Sequence, residues 1–415
     1  MRVGEIVGED LAAEGKPLDG VRILAIEQMQ AMPFATQLLA QMGAEVVKVE
    51  HPVHGESARG SQPPVHDTDG QDVGPTYLRN NLCKKSICVD LKQPEGVELI
   101  KRLAPRFDVL GENFKAGTLQ RLGLGYEVLS EIHPALVYVS VSGFGNLGES
   151  PYRSWGAYAP IAEAMGGFYE MNRSSPDERL RPGVAGALGD IGSSLFAAIG
   201  ILTALRHRDR TGRGQHVDVA MYDAMVAMAD VVPFFWSMGM RGSKEGRRRG
   251  VVDVFQAKDG FFMLQCVRDH QLEALARAVG HPEWIGDPRL PDRLAWAREV
   301  ESLIRPGIEG WAKDMTILEA CTQLNAQGVA CGPCNGPEHV IGDPHVKSHN
   351  MLIEVPRPDS DEPLLVVGNP IKLSRSAEGP VTRWPTLGQH TAEILESELG
   401  MSASEIEDLR QRGVV

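Results

Sequence analysis

The sequence predicts an α/β fold with a doubly wound parallel sheet. Residues 21–26, VRILAI, are apolar and predict a buried strand, and residues 44–50, AEVVKVE, predict a second one. Between them, PFATQLLAQMG (33–43) places proline in the first turn and glycine at the end of a helix. Two strands around one helix within about thirty residues form a βαβ unit, whose strands are parallel and joined by a right-handed crossover.

The same alternation continues to residue 145 and completes one doubly wound half. The first strand is followed by EQMQAMP, which has no glycine, so the G-x-G-x-x-G dinucleotide fingerprint is missing. A nicotinamide or flavin dehydrogenase is therefore disfavoured. The elements predicted here are a strand at 86–91, a helix at 94–104, a strand at 107–113, helical segments at 117–123 and 126–132, and a strand at 135–145.

The remainder of the chain indicates a second domain. A long helix at 191–210 and a strand and helix at 216–232 continue the first pattern, but residues 236–250, WSMGMRGSKEGRRRG, break it and are predicted to be a linker. The second domain would end near residue 330, and the tail predicts a strand and two further helices. The apolar run LFAAIGILTAL, at 195–205, is too short to span a bilayer and predicts a buried helix.

Length and composition limit the classes of protein to which the chain can belong. A chain of 415 residues predicts two domains, and a formal net charge of -13 argues against general nucleic-acid or anionic-membrane binding. The run Arg247–Arg249 is typical of a solvated loop. Six cysteines without a disulfide framework, and an acidic N-terminal stretch without an apolar signal core, predict a cytoplasmic protein.

Cys331-Gly-Pro-Cys334 has the two-cysteine spacing of thioredoxin-like redox centres. A redox pair of this kind needs a helix directly after the first thiol, because the helix dipole lowers the pKa of that thiol. Instead, Cys334 is followed by Asn335-Gly336-Pro337, a turn signal. The motif therefore predicts a tight connection rather than a thiol oxidoreductase.

Asp190 lies between glycines in GALGDIGSS (186–194), immediately before the long apolar helix. On this pattern alone a helix N-cap is the favoured interpretation, because aspartate accepts backbone N–H groups that would otherwise be unsatisfied. The flanking glycines would also let a substrate approach the carboxylate, and a helix N-terminus would keep it ionised, as a nucleophile needs to be.

Six stretches of the sequence together carry a family resemblance. They are PFATQLLAQMGAEVVKVEHP, CKKSICVDLK, GENFKAGTLQRLGLGYEVL, VYVSVSGFG, GALGDIGSSLFAAIGILTALRHRDRTGRGQHVDVAMYDA and LGQHTAEIL, and they cover nearly the whole chain from about Leu18. In this order they resemble the class III CoA-transferases, the CaiB/BaiF family, which includes formyl-CoA and carnitine CoA-transferases and the α-methylacyl-CoA racemases.

The resemblance implies a Rossmann-like doubly wound large domain, built from both chain ends, with a smaller α+β domain inserted. On this basis residues 1–17 are an N-terminal extension, 18–235 the first part of the large CoA-binding domain, 236–330 the small domain with its linkers, and 331–415 the return to the large domain. The resemblance also implies an interlocked homodimer, with each active site between the large domain of one subunit and the small domain of the other.

The chemistry implied by the resemblance is CoA transfer from an acyl-CoA donor to a small carboxylic acid. Asp190 stands where transferases carry their nucleophilic aspartate, which forms a mixed anhydride with the acyl group and then an aspartyl-CoA thioester. Coenzyme A and its thioesters are substrates in this reading, and no metal and no tightly bound cofactor are expected.

The resemblance further implies a set of positions that contact CoA or the acyl group. Cations suit phosphate binding, although His51 stands where transferases often have arginine, so its phosphate contact would be weak or absent at neutral pH. Without the resemblance, each of these residues reads as an ordinary core, turn or surface residue. The positions are Gln30, His51, Lys84, Asn113, Phe114, Lys115, Arg121 and Tyr158.

Two departures from the family pattern bear on the choice of reaction. Racemases carry glycine-histidine-aspartate where this chain has Gly156-Ala157-Tyr158, and alanine moves no proton, so two-base racemisation is disfavoured. The segment RRRGVVDVFQAKDGFF replaces the glycine run of formyl-CoA transferases, which leaves formyl-CoA and oxalate specificity open. The alternatives are an acyl-CoA racemase or isomerase of the same family, and a catalytically inactive CoA-binding protein.

Overall fold

The computed structural model describes residues 1–67, 70–172, 177–183, 186–230, 232–239 and 249–415. It divides into two compact units, one formed by Met1–Pro233 with His345–Val415 and the other by Phe234–Pro344. The boundaries predicted from the sequence for the second domain are residues 236 and 330. The second unit extends beyond residue 330 because Ala330–Pro333 is a strand of its sheet. Most of the predicted linker, including Arg247 and Arg248, lies outside the described residues.

The strands in the described residues belong to four sheets. In chain order they are β1 (Arg22–Ile26), β2 (Glu45–Glu50), β3 (Val65–His66), β4 (Asp72–Val73), β5 (Lys84–Cys88), β6 (Val109–Glu112), β7 (Val137–Ser142), β8 (His216–Ala220), β9 (Val251–Ala257), β10 (Gly260–Cys266), β11 (Ala330–Pro333), β12 (Leu352–Arg357) and β13 (Ser360–Val367).

The α-helices range from one turn to 24 residues. In chain order they are α1 (Pro33–Gln41), α2 (Pro75–Asn80), α3 (Pro94–Leu103), α4 (Thr118–Arg121), α5 (Tyr126–Ile132), α6 (Ala159–Met165), α7 (Phe168–Asn172), α8 (Leu188–Thr211), α9 (Met221–Met228), α10 (Val232–Ser237), α11 (Asp269–Ala278), α12 (Arg293–Arg298), α13 (Arg305–Ala312), α14 (Ile317–Ala326), α15 (Pro337–Gly342), α16 (Pro344–Ser348), α17 (Thr391–Leu399) and α18 (Ala403–Gln411).

A parallel six-stranded sheet in the order β5-β2-β1-β6-β7-β8 forms the centre of the first unit, as the sequence predicts. The chain moves outward from β1 through β2 to β5 on one side, and through β6 to β8 on the other. The order therefore reverses between β1 and β6. In open α/β sheets, ligands bind in the crevice beyond the carboxyl ends of the strands at this switch point.

Apolar clusters lie on both faces of this sheet. On one face, Leu24 and Val47 pack with Leu99 of α3, Ile394 of α17 and Ile406 of α18. The helices of the chain's C-terminal end thus complete the core that its N-terminal half begins. On the other face, the sheet packs against α1, α6, α8 and α9. Burial on both faces explains why the strands read as continuous apolar runs.

The long helix α8 begins at Leu188 and ends at Thr211, and its C-cap Gly212 has a φ of 73°, a left-handed conformation that favours glycine. It is the one described helix that is long and apolar enough to cross a membrane by length and composition. Here it contacts α1, α6, α9, β7 and β8, as a core helix does. One of its sides is nevertheless apolar and exposed, and comprises Leu195, Phe196, Ile199 and Leu202.

In the second unit, β9, β10 and β11 form an antiparallel sheet that places Cys331 on a strand. Its thiol lies 3.5 Å from the carbonyl oxygen of Cys321, and burial raises its pKa to about 12. All six cysteines are free. A redox pair needs a helix N-terminus and a lowered pKa, so Cys331 has neither property of a nucleophilic thiol.

Candidate active site

The loops that follow β1 and β6 meet at the switch point of the sheet. The side-chain amide of Asn113 donates to the backbone carbonyl of Gln28 at 2.7 Å and accepts the backbone N–H of the same residue at 2.8 Å. Asn113 thus joins the two loops with a pair of hydrogen bonds. The predicted CoA contact of Asn113 stays a prediction, but both ends of its amide are already engaged with the backbone.

The loop 27–32 is held by polar contacts from several elements. The backbone N–H of Met29, which has a φ of 60°, donates to Glu56 at 2.9 Å. Gln30 is buried, and its side-chain oxygen accepts a hydrogen bond from Arg79 at 3.0 Å. The hydroxyl of Ser194 on α8 donates to the backbone carbonyl of Ala31. The loop is therefore tied directly to the first turns of α8.

Asp190 lies inside the first turn of α8, since the helix begins at Leu188 and Ala187 is its N-cap. No side chain caps this helix, so the N-cap interpretation of Asp190 is wrong. The flanking glycines also have a packing role, and their role in substrate access stays a prediction. A Cβ on Gly189 would lie 2.9 Å from the backbone of Ala159, and a Cβ on Gly192 would lie 2.5 Å from the sulfur of Met228. Both glycines allow α8 to pack closely against its neighbours.

The carboxylate of Asp190 has a second carboxylate beside it. Glu163, on α6, is buried; its Oε1 accepts the backbone N–H of Gly189 at 3.1 Å, and its Oε2 accepts the hydroxyl of Tyr169 at 2.8 Å. Burial, and secondarily the charge of Glu163, raises the pKa of Asp190 to about 6. The carboxyl group of Asp190 is thus mostly ionised at pH 7, but its pKa is higher than its position at a helix N-terminus alone would predict.

Tyr158 lies next to this pair. It is the N-cap residue of α6, and the following residue, Ala159, packs against Gly189. The side chain of Tyr158 is 71% exposed. An aromatic ring exposed to this extent beside the carboxylates of Glu163 and Asp190 is available to a ligand.

The predicted phosphate-binding cations differ in their accessibility. Lys115 and Arg121 are exposed on either side of the start of α4, and Arg121 donates to the hydroxyl of Thr118 at 3.0 Å. Between Asn113 and Lys115, Phe114 is half-buried against the apolar cluster under α5. Its backbone N–H donates at 2.7 Å to Glu112, a carboxyl whose pKa is raised to about 8 by burial.

His51 follows β2, and both nitrogen atoms of its ring face other groups of this chain. Its Nδ1 accepts the backbone N–H groups of Val53 at 3.1 Å and His54 at 3.4 Å, and its Nε2 lies 3.9 Å from a carboxylate oxygen of Asp90. The negative charge of a carboxylate at that position would repel a phosphate group that approached the ring. The arrangement agrees with the weak phosphate contact expected for histidine in place of arginine.

Lys84 is not placed for a CoA contact. Its side chain is wholly buried, and its amine donates to Glu27 at 2.7 Å and to the carbonyl of Pro33 at 2.9 Å. Lys48, also wholly buried, lies 3.5 Å from the same carboxylate. Burial lowers the pKa of Lys84 to about 8. The predicted CoA contact of Lys84 is therefore contradicted, because its amine is buried and hydrogen-bonded to Glu27 and Pro33, where the loop 27–32 begins and ends.

Comparison with known proteins decides the family. The model of CoA-transferase family III matches residues 18–391. The chain belongs to CoA-transferase family III. It is 34% identical to the succinyl-CoA–L-malate CoA-transferase beta subunit of Chloroflexus aurantiacus over 96% of this chain and 98% of that protein, and 36% identical to the succinyl-CoA:mesaconate CoA-transferase of Haloarcula hispanica over 94% and 98%. A CaiB/BaiF family protein from Brucella suis has the same fold, with a TM-score of 0.80, 30% identity and coverage of 92% and 99%.

The family assignment confirms the prediction made from the six stretches of sequence. Within this class III CoA-transferase, the described part of the chain brings Gln30, Asn113, Asp190 and Tyr158 to the region around the switch point and the start of α8. The described residues contain no cluster of histidine, cysteine, aspartate or glutamate that could hold a metal ion.

Sequence analysis missed four charged residues of this region: Glu27, Lys48, Arg79 and Glu163. A signal was available for Lys48, because a lysine in the middle of the apolar strand AEVVKVE must be paired if it is buried. Glu163 and Arg79 carry no comparable signal, since their partners are Gly189 and Gln30, far away in the sequence.

Proposed function

We propose that this CoA-transferase moves CoA from succinyl-CoA to a carboxylic acid through covalent intermediates on Asp190. The observation that carries the proposal is the half-buried carboxylate of Asp190 in the first turn of α8, which does not cap that helix. Ser194, whose hydroxyl contacts the backbone carbonyls of Asp190 and Ala31, connects this turn to the loop after β1. Succinyl-CoA is proposed as donor because two of the relatives are named for it.

In the first step, a carboxylate oxygen of Asp190 attacks the thioester carbonyl carbon, the C–S bond breaks, and CoA leaves as a thiolate beside a succinyl-aspartyl anhydride. The thiolate then attacks the aspartyl carbonyl, forming an aspartyl-CoA thioester and releasing succinate. The acceptor carboxylate attacks this thioester, its C–S bond breaks, and an acceptor-aspartyl anhydride forms beside CoA thiolate. The thiolate then attacks the acceptor's acyl carbon, the bond from that carbon to the aspartyl oxygen breaks, and Asp190 leaves as the regenerated carboxylate. Covalent catalysis conserves the thioester energy through the exchange.

Within this proposal the exposed cations Lys115 and Arg121 contact the phosphates of CoA. Both are exposed, both follow β6, and neither has a carboxylate partner in the described part of the chain. Guanidinium and ammonium groups suit phosphate on charge and geometry. Tyr158 would contact the acyl group, since its exposed ring stands next to the start of α8.

Intact mass spectrometry tests the covalent intermediate. The protein would be incubated with acetyl-, succinyl- or propionyl-CoA, and its mass compared before and after hydroxylamine, with Asp190→Asn alongside. We expect a hydroxylamine-sensitive adduct of CoA or acyl mass on the wild type alone. CoA binding without any adduct would instead favour the inactive CoA-binding protein, and deuterium exchange at the α-carbon of a 2-methylacyl-CoA without an acceptor acid would favour a racemase.

The rate of transfer is expected to fall below pH 6, because Asp190 must be ionised to attack and its pKa is about 6. At pH 5 roughly a tenth of the maximal rate would remain. Glu163→Gln keeps the contacts with Gly189 and Tyr169 but removes the neighbouring charge, so the acid limb of the kcat/KM profile should move to lower pH. An unshifted profile would show that Glu163 does not act on Asp190 electrostatically. Glu131→Gln, at an exposed position of α5, is the matched control.

A homodimer is part of the proposal. The exposed apolar side of α8, together with exposed Ile161 and Val226 on the neighbouring helices α6 and α9, leaves a surface that a second copy would cover. Light scattering should then give twice the mass of one chain, and the mass of a single chain would contradict the dimer.

A cytoplasmic location is proposed from the six free cysteines and is tested by cell fractionation.

A further inference from the structure

Arg79 carries a positive charge without a carboxylate partner in the described part of the chain. It lies near the end of α2, half-buried, with its guanidinium carbon 5.5 Å from the ring centre of Phe34. Its recorded side-chain hydrogen bond goes to the amide oxygen of Gln30 at 3.0 Å. Burial lowers its pKa, but guanidinium remains protonated in proteins.

The other buried or half-buried cations around this loop are all neutralised. Lys84 pairs with Glu27, Lys48 lies 3.4 Å from Glu56, and Arg59 binds Glu50 through two nitrogens at 2.7 and 2.8 Å. A half-buried charge that the protein leaves uncompensated is costly unless a ligand supplies the opposite charge. Because Gln30 accepts only one of the five guanidinium N–H groups, a pair of donors remains for a carboxylate.

A short series of contacts connects Arg79 to Asp190. Arg79 binds the side chain of Gln30, and the backbone carbonyl of Gln30 lies 3.4 Å from the hydroxyl of Ser194. That hydroxyl lies 2.7 Å from the backbone carbonyl of Asp190, one turn earlier on α8. Gln30 therefore stands between the unpaired cation and the helix turn that carries the proposed nucleophile.

We propose that Arg79 binds the second carboxylate of a dicarboxylic acid, whose first carboxylate exchanges CoA at Asp190. This inference rests on the proposed function and names its substrate class. A monocarboxylic acid of the same length has no group to offer Arg79, so the residue would select dicarboxylic acids and their CoA thioesters. Hydrogen bonds between charged partners in a half-buried site provide that selection.

Paired acids of equal length test the proposal. With succinyl-CoA as the donor, the acceptors are isotope-labelled succinate, whose label is followed into succinyl-CoA, and butyrate. The proteins are the wild type, Arg79→Met, Arg79→Lys and a control, Arg102→Met, at an exposed position of α3. We expect the wild type to prefer succinate in kcat/KM, and Arg79→Met to lose roughly 10- to 100-fold for succinate while the value for butyrate stays unchanged. Arg79→Lys should retain part of the preference, and Arg102→Met all of it.

Two results would overturn the proposal. A wild type that uses butyrate as well as succinate has no site for a second carboxylate, and this result needs no variant. An equal loss for both acids in Arg79→Met, with a raised KM for the CoA thioester, would assign Arg79 to a CoA phosphate instead.

Calorimetric binding of succinate and butyrate to the same proteins separates this proposal from the transfer chemistry. If no protein forms a covalent adduct but the wild type binds succinate more tightly than Arg79→Met does, Arg79 recognises the acid although the proposed reaction has failed. If adducts form and the two proteins bind succinate equally, the reaction stands and the role of Arg79 is refuted.

Discussion

Asp190→Asn is expected to lose CoA transfer by on the order of 10³- to 10⁴-fold while CoA affinity stays unchanged. Asparagine is close to isosteric with aspartate, so the packing of α8 against Ala159 and Met228 persists. Its amide oxygen, however, is a poor nucleophile and cannot form the anhydride. Initial rates with succinyl-CoA and a dicarboxylic acceptor measure the first quantity, and calorimetry with CoA measures the second.

The matched control is Asp209→Asn, on the same helix but at its exposed far end, where Asp209 lies 3.8 Å from Arg208. It should transfer CoA at the wild-type rate. An Asp190→Asn variant with more than about a tenth of wild-type activity would refute the covalent mechanism, because removal of a nucleophile costs far more than that. A loss confined to KM would assign Asp190 to binding.

Glu27→Gln is expected to destabilise the first unit by about 3–5 kcal/mol, the usual result of removing one partner from a buried ion pair. Glu27 lies between the wholly buried amines of Lys84 and Lys48, at 2.7 and 3.5 Å. An amide in its place leaves the Lys84 ammonium in a buried site without a carboxylate in contact. The free energy of unfolding in urea measures the effect.

Glu393→Gln is the surface counterpart of this variant. Glu393 lies 2.9 Å from Lys85, the neighbour of Lys84 in β5, but more than half of its side chain is exposed. Exposed ion pairs contribute at most about 1 kcal/mol, so this variant should unfold close to the wild type. Equal unfolding midpoints for Glu27→Gln and Glu393→Gln would show that the buried cluster is not a source of stability.

The central sheet could be predicted from the sequence because its signals are local. Strands β1 and β2 and helix α1 were expected at 21–26, 44–50 and 33–43, and their observed bounds differ by at most two residues. Apolar runs bounded by proline and glycine determine such elements within a few residues of chain. The hairpin of β12 and β13 was predicted only in part, since polar residues interrupt its first strand, LIEVPR.

The errors at the candidate site arose from contacts between distant segments. The resemblance implies a CoA contact for Lys84, and nothing near Lys84 in the sequence identifies Glu27, 57 residues earlier, as its partner. The N-cap interpretation of Asp190 failed because the helix starts two residues before it, and helix ends are the least certain part of a sequence prediction. The packing of the glycines around Asp190 against Ala159 and Met228 likewise joins segments that are distant in the sequence.

The proposed nucleophile stands on a helix that is packed into the sheet. Helix α8 is 24 residues long, and its first turns are fastened to the loop after β1 by Ser194. A group placed in this way is held by the packing of its helix and by the loop after β1, so partial opening elsewhere in the protein would not displace it. Heat inactivation would consequently follow the same curve as the loss of helical circular dichroism, and the two midpoint temperatures would coincide.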